Sequence, residues 1–307
     1  MAKTKIPWCD VTINPFPGCR KVSPGCENCY AEAMAKRLKA MGQSKYENVV
    51  NLDGWTGRSS CAGINVMRVP GKGKRVFVES MGDLFYERNP FVGGIDRVYS
   101  MMLDQPQHTF LVLTKRPERA LEYYQGVDRD QEECYEPNPI AYAPHIWLGT
   151  TCENQEWADK RIPILMQIPA AVRFVSLEPL LGPVNLRRHI CGWMRCRACG
   201  AYLKMPKVGL PRCDCPRFMG GRLGTRSFSA LEVLDWVIVG CESGPKRREC
   251  QQYWVVDVVK QCHQANVPVF VKQISDFGEV VHDPSRIGAY LGERVEDIQQ
   301  WPKGLEV

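Results

Sequence analysis

Six short apolar runs set the strongest limit on how this chain folds. They cover residues 76–78, 109–113, 145–149, 172–175, 236–240 and 267–271, are rich in β-branched and aromatic residues, and each closes on a polar cluster. Runs that are apolar almost throughout, rather than alternating, belong to strands buried on both faces, as in parallel sheets. Amphipathic stretches such as 95–103, 157–167 and 254–265 lie between most of them. Strand–helix alternation predicts βαβ units. With a short strand within residues 10–14 the count reaches about seven, too few for a closed eight-unit barrel. The expected class is therefore α/β, a partial (β/α) barrel of about six to seven parallel strands. Residues 41–74 carry Gly, Ser and Asn without a period and read as a long loop or lid. The tail, 282–307, is expected to give a short helix over 294–300 and little else.

At 307 residues the chain can bury a large core. It has no run of about eighteen apolar residues, so no membrane span is expected. Its start, Met1-Ala2-Lys3-Thr4-Lys5, lacks the apolar centre of a signal peptide. Fifteen cysteines without such a signal point to a reducing, cytoplasmic setting, where clustered thiols bind metal more often than they pair.

Three of those cysteines are Cys19, Cys26 and Cys29, in a Pro- and Gly-punctuated stretch from Asn14 to Tyr30. The stretch reads as a loop, followed at once by a helical segment, 31–40. A thiol-bearing loop at a helix N-terminus suits an anionic iron–sulfur cluster, since backbone N–H groups there favour negative charge. Three thiolates would leave one iron free for a cofactor or substrate. The spacing equally suits a structural zinc knuckle completed by a fourth ligand, with Cys9 the nearest candidate.

In parallel α/β folds the chemistry gathers at the carboxyl ends of the strands. Here those ends are polar in succession. They read Glu79-Ser80-Met81-Gly82-Asp83, Thr114-Lys115-Arg116, Thr150-Thr151-Cys152-Glu153-Asn154, Ser176-Leu177-Glu178, Gly240-Cys241-Glu242-Ser243 and Lys272-Gln273. Any one such end turns polar simply on reaching solvent. Six in a row predict a shared site, onto which the cysteine loop would also open.

Between residues 185 and 226 the alternation stops, and ten Lys or Arg stand against one acid. This segment is +9 and the remainder of the chain −3. It holds Cys196-Arg197-Ala198-Cys199 and Cys213-Asp214-Cys215, a zinc-ribbon-like pattern for one Zn2+. Cys191 and His189 are spare ligands, and an auxiliary iron–sulfur cluster is the rival reading. Basic side chains interleaved with Trp193, Tyr202 and Phe218 suit phosphates and exposed bases. The expected division is 1–184 for the first part of the barrel, 185–228 for the zinc-binding insertion and 229–307 for the last strands and tail.

The opening Asn14-Pro15-x-x-Gly18-Cys19…Cys26-x-Asn28-Cys29-Tyr30-Ala31-Glu32 resembles a phage and prophage subgroup of the radical S-adenosylmethionine enzymes. The resemblance continues through Ser80-Met81-Gly82-Asp83-Leu84-Phe85, Leu113-Thr114-Lys115-Arg116-Pro117, Ser176-Leu177-Glu178-Pro179 and Lys272-Gln273. It implies a [4Fe–4S] cluster on Cys19, Cys26 and Cys29, with S-adenosylmethionine on the fourth iron and Cys9 not a ligand. The spacing of six and two residues departs from the commonest three and two, and Asn28 stands where an aromatic residue is usual.

By position, the resemblance places the methionyl amino group at Ser80 to Asp83, with Glu79 in reserve, and its carboxylate at Lys115 or Arg116. Thr150, Thr151, Glu153, Asn154, Ser176 and Glu178 are candidates for the ribose, and Gly240 for the adenine. Lys272, Gln273 and Glu242 are the catalytic candidates facing substrate. The expected substrate is nucleic acid, favoured as a hypermodified thymine in phage DNA that the radical isomerises, for instance by a glycyl rearrangement; a tRNA base or a peptide comes next. A flavodoxin or ferredoxin would supply the electron. The alternative is a non-enzymatic, zinc-dependent nucleic-acid-binding protein.

Overall fold

The computed structural model describes residues 4–61, 68–89, 91–131, 143–190, 193–196, 202–204, 228–230, 234–276 and 278–302. Its strands in chain order begin with β1 (Val11–Ile13), β2 (Arg75–Val78), β3 (Thr109–Thr114), β4 (Ile146–Thr151) and β5 (Val172–Leu177). Three short strands follow, β6 (Trp193–Cys196), β7 (Tyr202–Lys204) and β8 (Phe228–Ala230), and then β9 (Trp236–Gly240), β10 (Val269–Asp276) and β11 (Glu279–Val281). The helices are α1 (Tyr30–Ala40), α2 (Asp96–Leu103), α3 (Pro117–Gln131), α4 (Gln155–Leu165), α5 (Arg187–Ile190), α6 (Gln252–Ala265), α7 (Pro284–Leu291) and α8 (Val295–Ile298).

The fold is α/β. Eight strands form one sheet in the order β1-β2-β3-β4-β5-β9-β10-β11. Every neighbouring pair is parallel except β10 and β11, which close the edge as an antiparallel hairpin. All seven expected strands are present. The break in alternation coincides with a separate antiparallel sheet, β7-β6-β8. Cys196 ends β6, whereas Cys199, Cys213 and Cys215 lie outside the described residues.

The two faces of the main sheet differ in composition because alternate residues of each strand point opposite ways. One face is chiefly aliphatic: Val76, Val78, Val112, Leu148, Val175, Val237 and Val239 meet the apolar sides of α2, α3, α4, α6, α7 and α8. The other is aromatic, built from Phe77, Leu111, Trp147, Phe174, Trp236 and Phe270. Its rings touch from strand to strand, Trp236 lying 5.6 Å from Phe174 and 6.2 Å from Trp147 between centroids. Gly149 allows this packing, because a Cβ there would stand 2.5 Å from the Phe174 ring. Near the sheet's far ends, the Arg75 guanidinium of β2 sits 5.0 Å from the Trp301 ring, and Trp301 lies 4.9 Å from Phe270 of β10.

Two expectations about irregular regions need correction. The tail contributes more than one short helix. Asp283 caps α7 by accepting the Arg286 N–H at 2.8 Å, with Pro284 at the first turn, and Trp301 completes the aromatic face. Part of the expected lid is packed rather than loose: Tyr46, Val49 and Val50 are buried with Ala31 and Ala35 of α1 and with Met81. Among the described residues, no helix is long and apolar enough to cross a membrane.

Candidate functional site

A cavity of about 420 Å³ opens over the aromatic face, at the carboxyl ends of the parallel strands. The loop after β1 contributes all three thiols, Cys19, Cys26 and Cys29, to its wall. Glu79, Ser80 and Asp83 follow β2, and Lys115 and Arg116 follow β3. Thr151, Ser176 and Glu178 come from the ends of β4 and β5. The last strands add Cys241, Glu242, Lys272 and Gln273.

Strand-end side chains hold the cysteine loop from several sides. Arg116 reaches it with Nη1 3.7 Å from Cys19 Sγ and Nη2 donating to the Arg20 carbonyl at 2.8 Å. The Gly25 N–H donates to Glu153 Oε1 at 3.0 Å, while the other Glu153 oxygen pairs with buried Arg161. Asn28 donates to Glu242 at 3.0 Å, and Arg248 ties the same carboxylate to Glu27 and to the Pro24 carbonyl. Tyr30 donates to the Ser80 carbonyl at 2.7 Å. Gly18 sits at φ +117°, where a Cβ would meet the Arg58 carbonyl at 2.3 Å, so the loop base is backbone against backbone.

Cys29 is the N-cap residue of α1, yet its side chain makes no capping hydrogen bond. Burial pushes the Cys19 thiol up to about 12; Arg116 opposes that, while Asp83, Cys26 and Cys29 add to it. As protein alone, the Cys19 thiol is thereby kept from ionising. Metal coordination reverses this, since a bound thiol is deprotonated outright. Among the described residues, no set of three or more His, Cys, Asp or Glu is grouped to hold a metal ion as it stands.

Among the described residues, three of the four carboxylates lining the cavity are paired. Asp83 takes Arg116 at 3.1 Å together with the Thr114 hydroxyl and the Lys115 N–H. Glu178 pairs with Lys272. Glu242 is held below the ordinary carboxylate range: burial opposes ionisation, but hydrogen bonds from Arg248 and Asn28 outweigh it. Glu79 has no ion-pair partner among the described residues. One of its oxygens accepts the Phe16 N–H at 2.8 Å, and the other, Oε1, is buried without a hydrogen bond. Burial raises its pKa to about 8, with Asp83 adding to the rise and the Phe16 N–H opposing it.

The family DUF5131, described as a protein of unknown function, matches residues 3–302. The chain belongs to the DUF5131 family. No curated protein and no solved structure matches it. The family match spans every strand of the sheet and every residue that lines the cavity of this DUF5131 chain.

Of the residues singled out in the sequence, Ser80, Asp83, Lys115, Thr151, Ser176, Glu178, Glu242, Lys272 and Gln273 share the cavity with the three cysteines. Thr150, Glu153 and Gly240 do not line it. Thr150 donates to the Thr114 carbonyl at 2.9 Å, Glu153 holds Gly25, and the Gly240 carbonyl accepts from Leu180 at 2.9 Å. Sequence reading missed Arg248, which the loop after β9 places against both Glu242 and Glu27. The only local signal was the Arg247-Arg248 pair shortly after Gly244.

Proposed function

We propose that this chain is a radical S-adenosylmethionine enzyme whose seven parallel strands form a partial (β/α) barrel. The observation that carries the reading is one cavity, over strand ends, that joins three thiols to an unpaired buried carboxyl. The residues fit the cofactors on donor chemistry. Cys19, Cys26 and Cys29 would hold a [4Fe–4S] cluster, and the unpartnered Glu79 Oε1 is an acceptor for the methionyl ammonium. Ser80 and Asp83 are less suited to that group, because the Ser80 hydroxyl donates to Asn14 and both Asp83 oxygens already accept hydrogen bonds. Lys115, which makes no ion pair among the described residues, would take the methionyl carboxylate. Thr151 and Ser176, both on the cavity wall, would offer partners to the ribose hydroxyls. When bound, cluster and cofactor supply a 5′-deoxyadenosyl radical able to take hydrogen from an unactivated carbon. The chain's part is to fix the loop, orient the cofactor and keep water from the aromatic face.

The substrate in this reading is nucleic acid, favoured as a hypermodified thymine in DNA that the radical isomerises. The base leaves its stack to enter the cavity, and the basic insertion grips the backbone with Cys196, Cys199, Cys213 and Cys215 on zinc. A flavodoxin or ferredoxin delivers the electron. Anaerobic reconstitution should give a brown protein that forms 5′-deoxyadenosine from S-adenosylmethionine under dithionite. A colourless protein with one zinc on Cys19, Cys26 and Cys29, forming none, overturns the proposal in favour of a zinc-dependent binder. Cys199→Ser should lose zinc and keep iron.

A further inference from the structure

The pairing of β10 with β9 slips once. Val271 lies opposite Val239 and Gln273 opposite Gly240, so Lys272 is an extra residue between them. Before the slip the strand alternates regularly, Val269 and Val271 toward the helices and Phe270 toward the aromatic face. After it, Lys272 and Gln273 both line the cavity, although consecutive residues of a regular strand face opposite ways. Bulges beside active sites re-aim side chains in this manner.

Different partners fix the two side chains. Lys272 pairs with Glu178, the two being 16% and 17% exposed, and an ammonium has three N–H donors, so one partner does not exhaust it. Gln273 is 1% exposed, and its Nε2 donates to the Cys241 carbonyl at 2.6 Å. That bond orients the amide and leaves Oε1 buried with no partner. A buried acceptor without a partner is costly until a ligand donor completes it. The bulge thus sets a donor beside an unmet acceptor on the cavity wall. One complementary group is a ring carbonyl beside a ring N–H, the cyclic amide edge of thymine or uracil, which guanine also carries on a larger ring system.

We propose that the bulged pair Lys272 and Gln273 is a base-reading element, Lys272 donating to a ring carbonyl and Gln273 Oε1 accepting from the adjacent ring N–H. This rests on the nucleic-acid reading of the site and names the chemistry by which the base is chosen.

The test is equilibrium binding of the anaerobically reconstituted protein to a labelled oligoadenine strand carrying one thymine, N3-methylthymine or cytosine. Wild-type protein should prefer thymine to the N3-methyl base by about tenfold or more, the discrimination expected of a good paired contact. Gln273→Leu should lose most of that preference. Gln273→Glu, whose protonated carboxyl can still both donate and accept, should keep it. Equal wild-type affinity for thymine and N3-methylthymine, equal affinity for cytosine, no binding, or a preference that survives in Gln273→Leu overturns the proposal. Formation of 5′-deoxyadenosine under dithionite is followed separately. Discrimination without it sinks the radical reading alone, and its formation without discrimination sinks the base-reading element alone.

Discussion

Asn28 and Glu242 are 214 residues apart in the chain and 3.0 Å apart in space. The amide between the second and third cysteines is thereby held by the carboxylate that follows β9. Arg248 braces both oxygens of that carboxylate, and nothing in the loop's own sequence supplies this support. Replacing Glu242 by Ala leaves Asn28 with the Lys246 carbonyl alone and Arg248, 30% exposed at its side chain, with only Glu27 and the Pro24 carbonyl. The expected loss is about 1–3 kcal/mol by denaturant unfolding. On the proposed cluster reading, reconstituted iron should fall further than stability alone explains. Full iron occupancy in Glu242→Ala would show that the clamp does not shape the loop.

Asp83 and Arg116 form a buried pair, with side chains 6% and 9% exposed, whereas Glu87, the other partner of Arg116, is 47% exposed. Asp83→Ala leaves Arg116, the Thr114 hydroxyl and the Lys115 N–H without their buried acceptor, with only the half-exposed Glu87 still paired to Arg116, and should cost about 3–5 kcal/mol. Glu87→Ala should cost about 1 kcal/mol or less. Equal losses in urea unfolding would contradict this ranking.

Glu79 makes stability depend on pH in a definite direction. In the unfolded chain its carboxyl ionises at about 4.3, and in the folded protein at about 8. Between those values the folded state binds more protons, so this group's contribution to stability falls as pH rises through the window. The melting temperature of wild type relative to Glu79→Gln should decline from pH 5 toward pH 8 and level off above it. A difference that is flat across that range, or rises, counts against burial as the cause.

Gly149 leaves no room for a methyl group, since a Cβ would approach the Phe174 ring to 2.5 Å. Gly149→Ala should cost about 1–3 kcal/mol through overpacking. The displaced ring also bears on Trp236, so near-ultraviolet circular dichroism should change along with stability. An unaltered spectrum and melting point would mean that the aromatic face yields easily.

The strands were legible because residues such as Val237, Ile238 and Val239 are apolar on both faces, a pattern that needs no knowledge of partners. The shared site was legible for the same reason, as parallel strands put their polar ends together. Individual roles were not. Glu242 reads in sequence as a catalytic candidate, yet its oxygens are occupied by Asn28 and Arg248. Lys272 and Gln273 should face opposite ways by strand period, and only the slip against β9 brings both to the cavity. The tail was underread although Asp283-Pro284 and Gly292 are ordinary start and stop signals for a helix. Nothing in the sequence marks Trp301 as the residue that touches both Arg75 and Phe270.

The ties on the cysteine loop also bear on how the protein is made. The three thiols leave the ribosome well before Glu153, Glu242 and Arg248, the residues whose side chains pin the loop. Until those residues have been made, the loop lacks the side chains that tie it down. The nascent chain therefore cannot present a finished binding site. A metal centre that relies on those ties is assembled only once the chain has passed Arg248 and folded back on the loop.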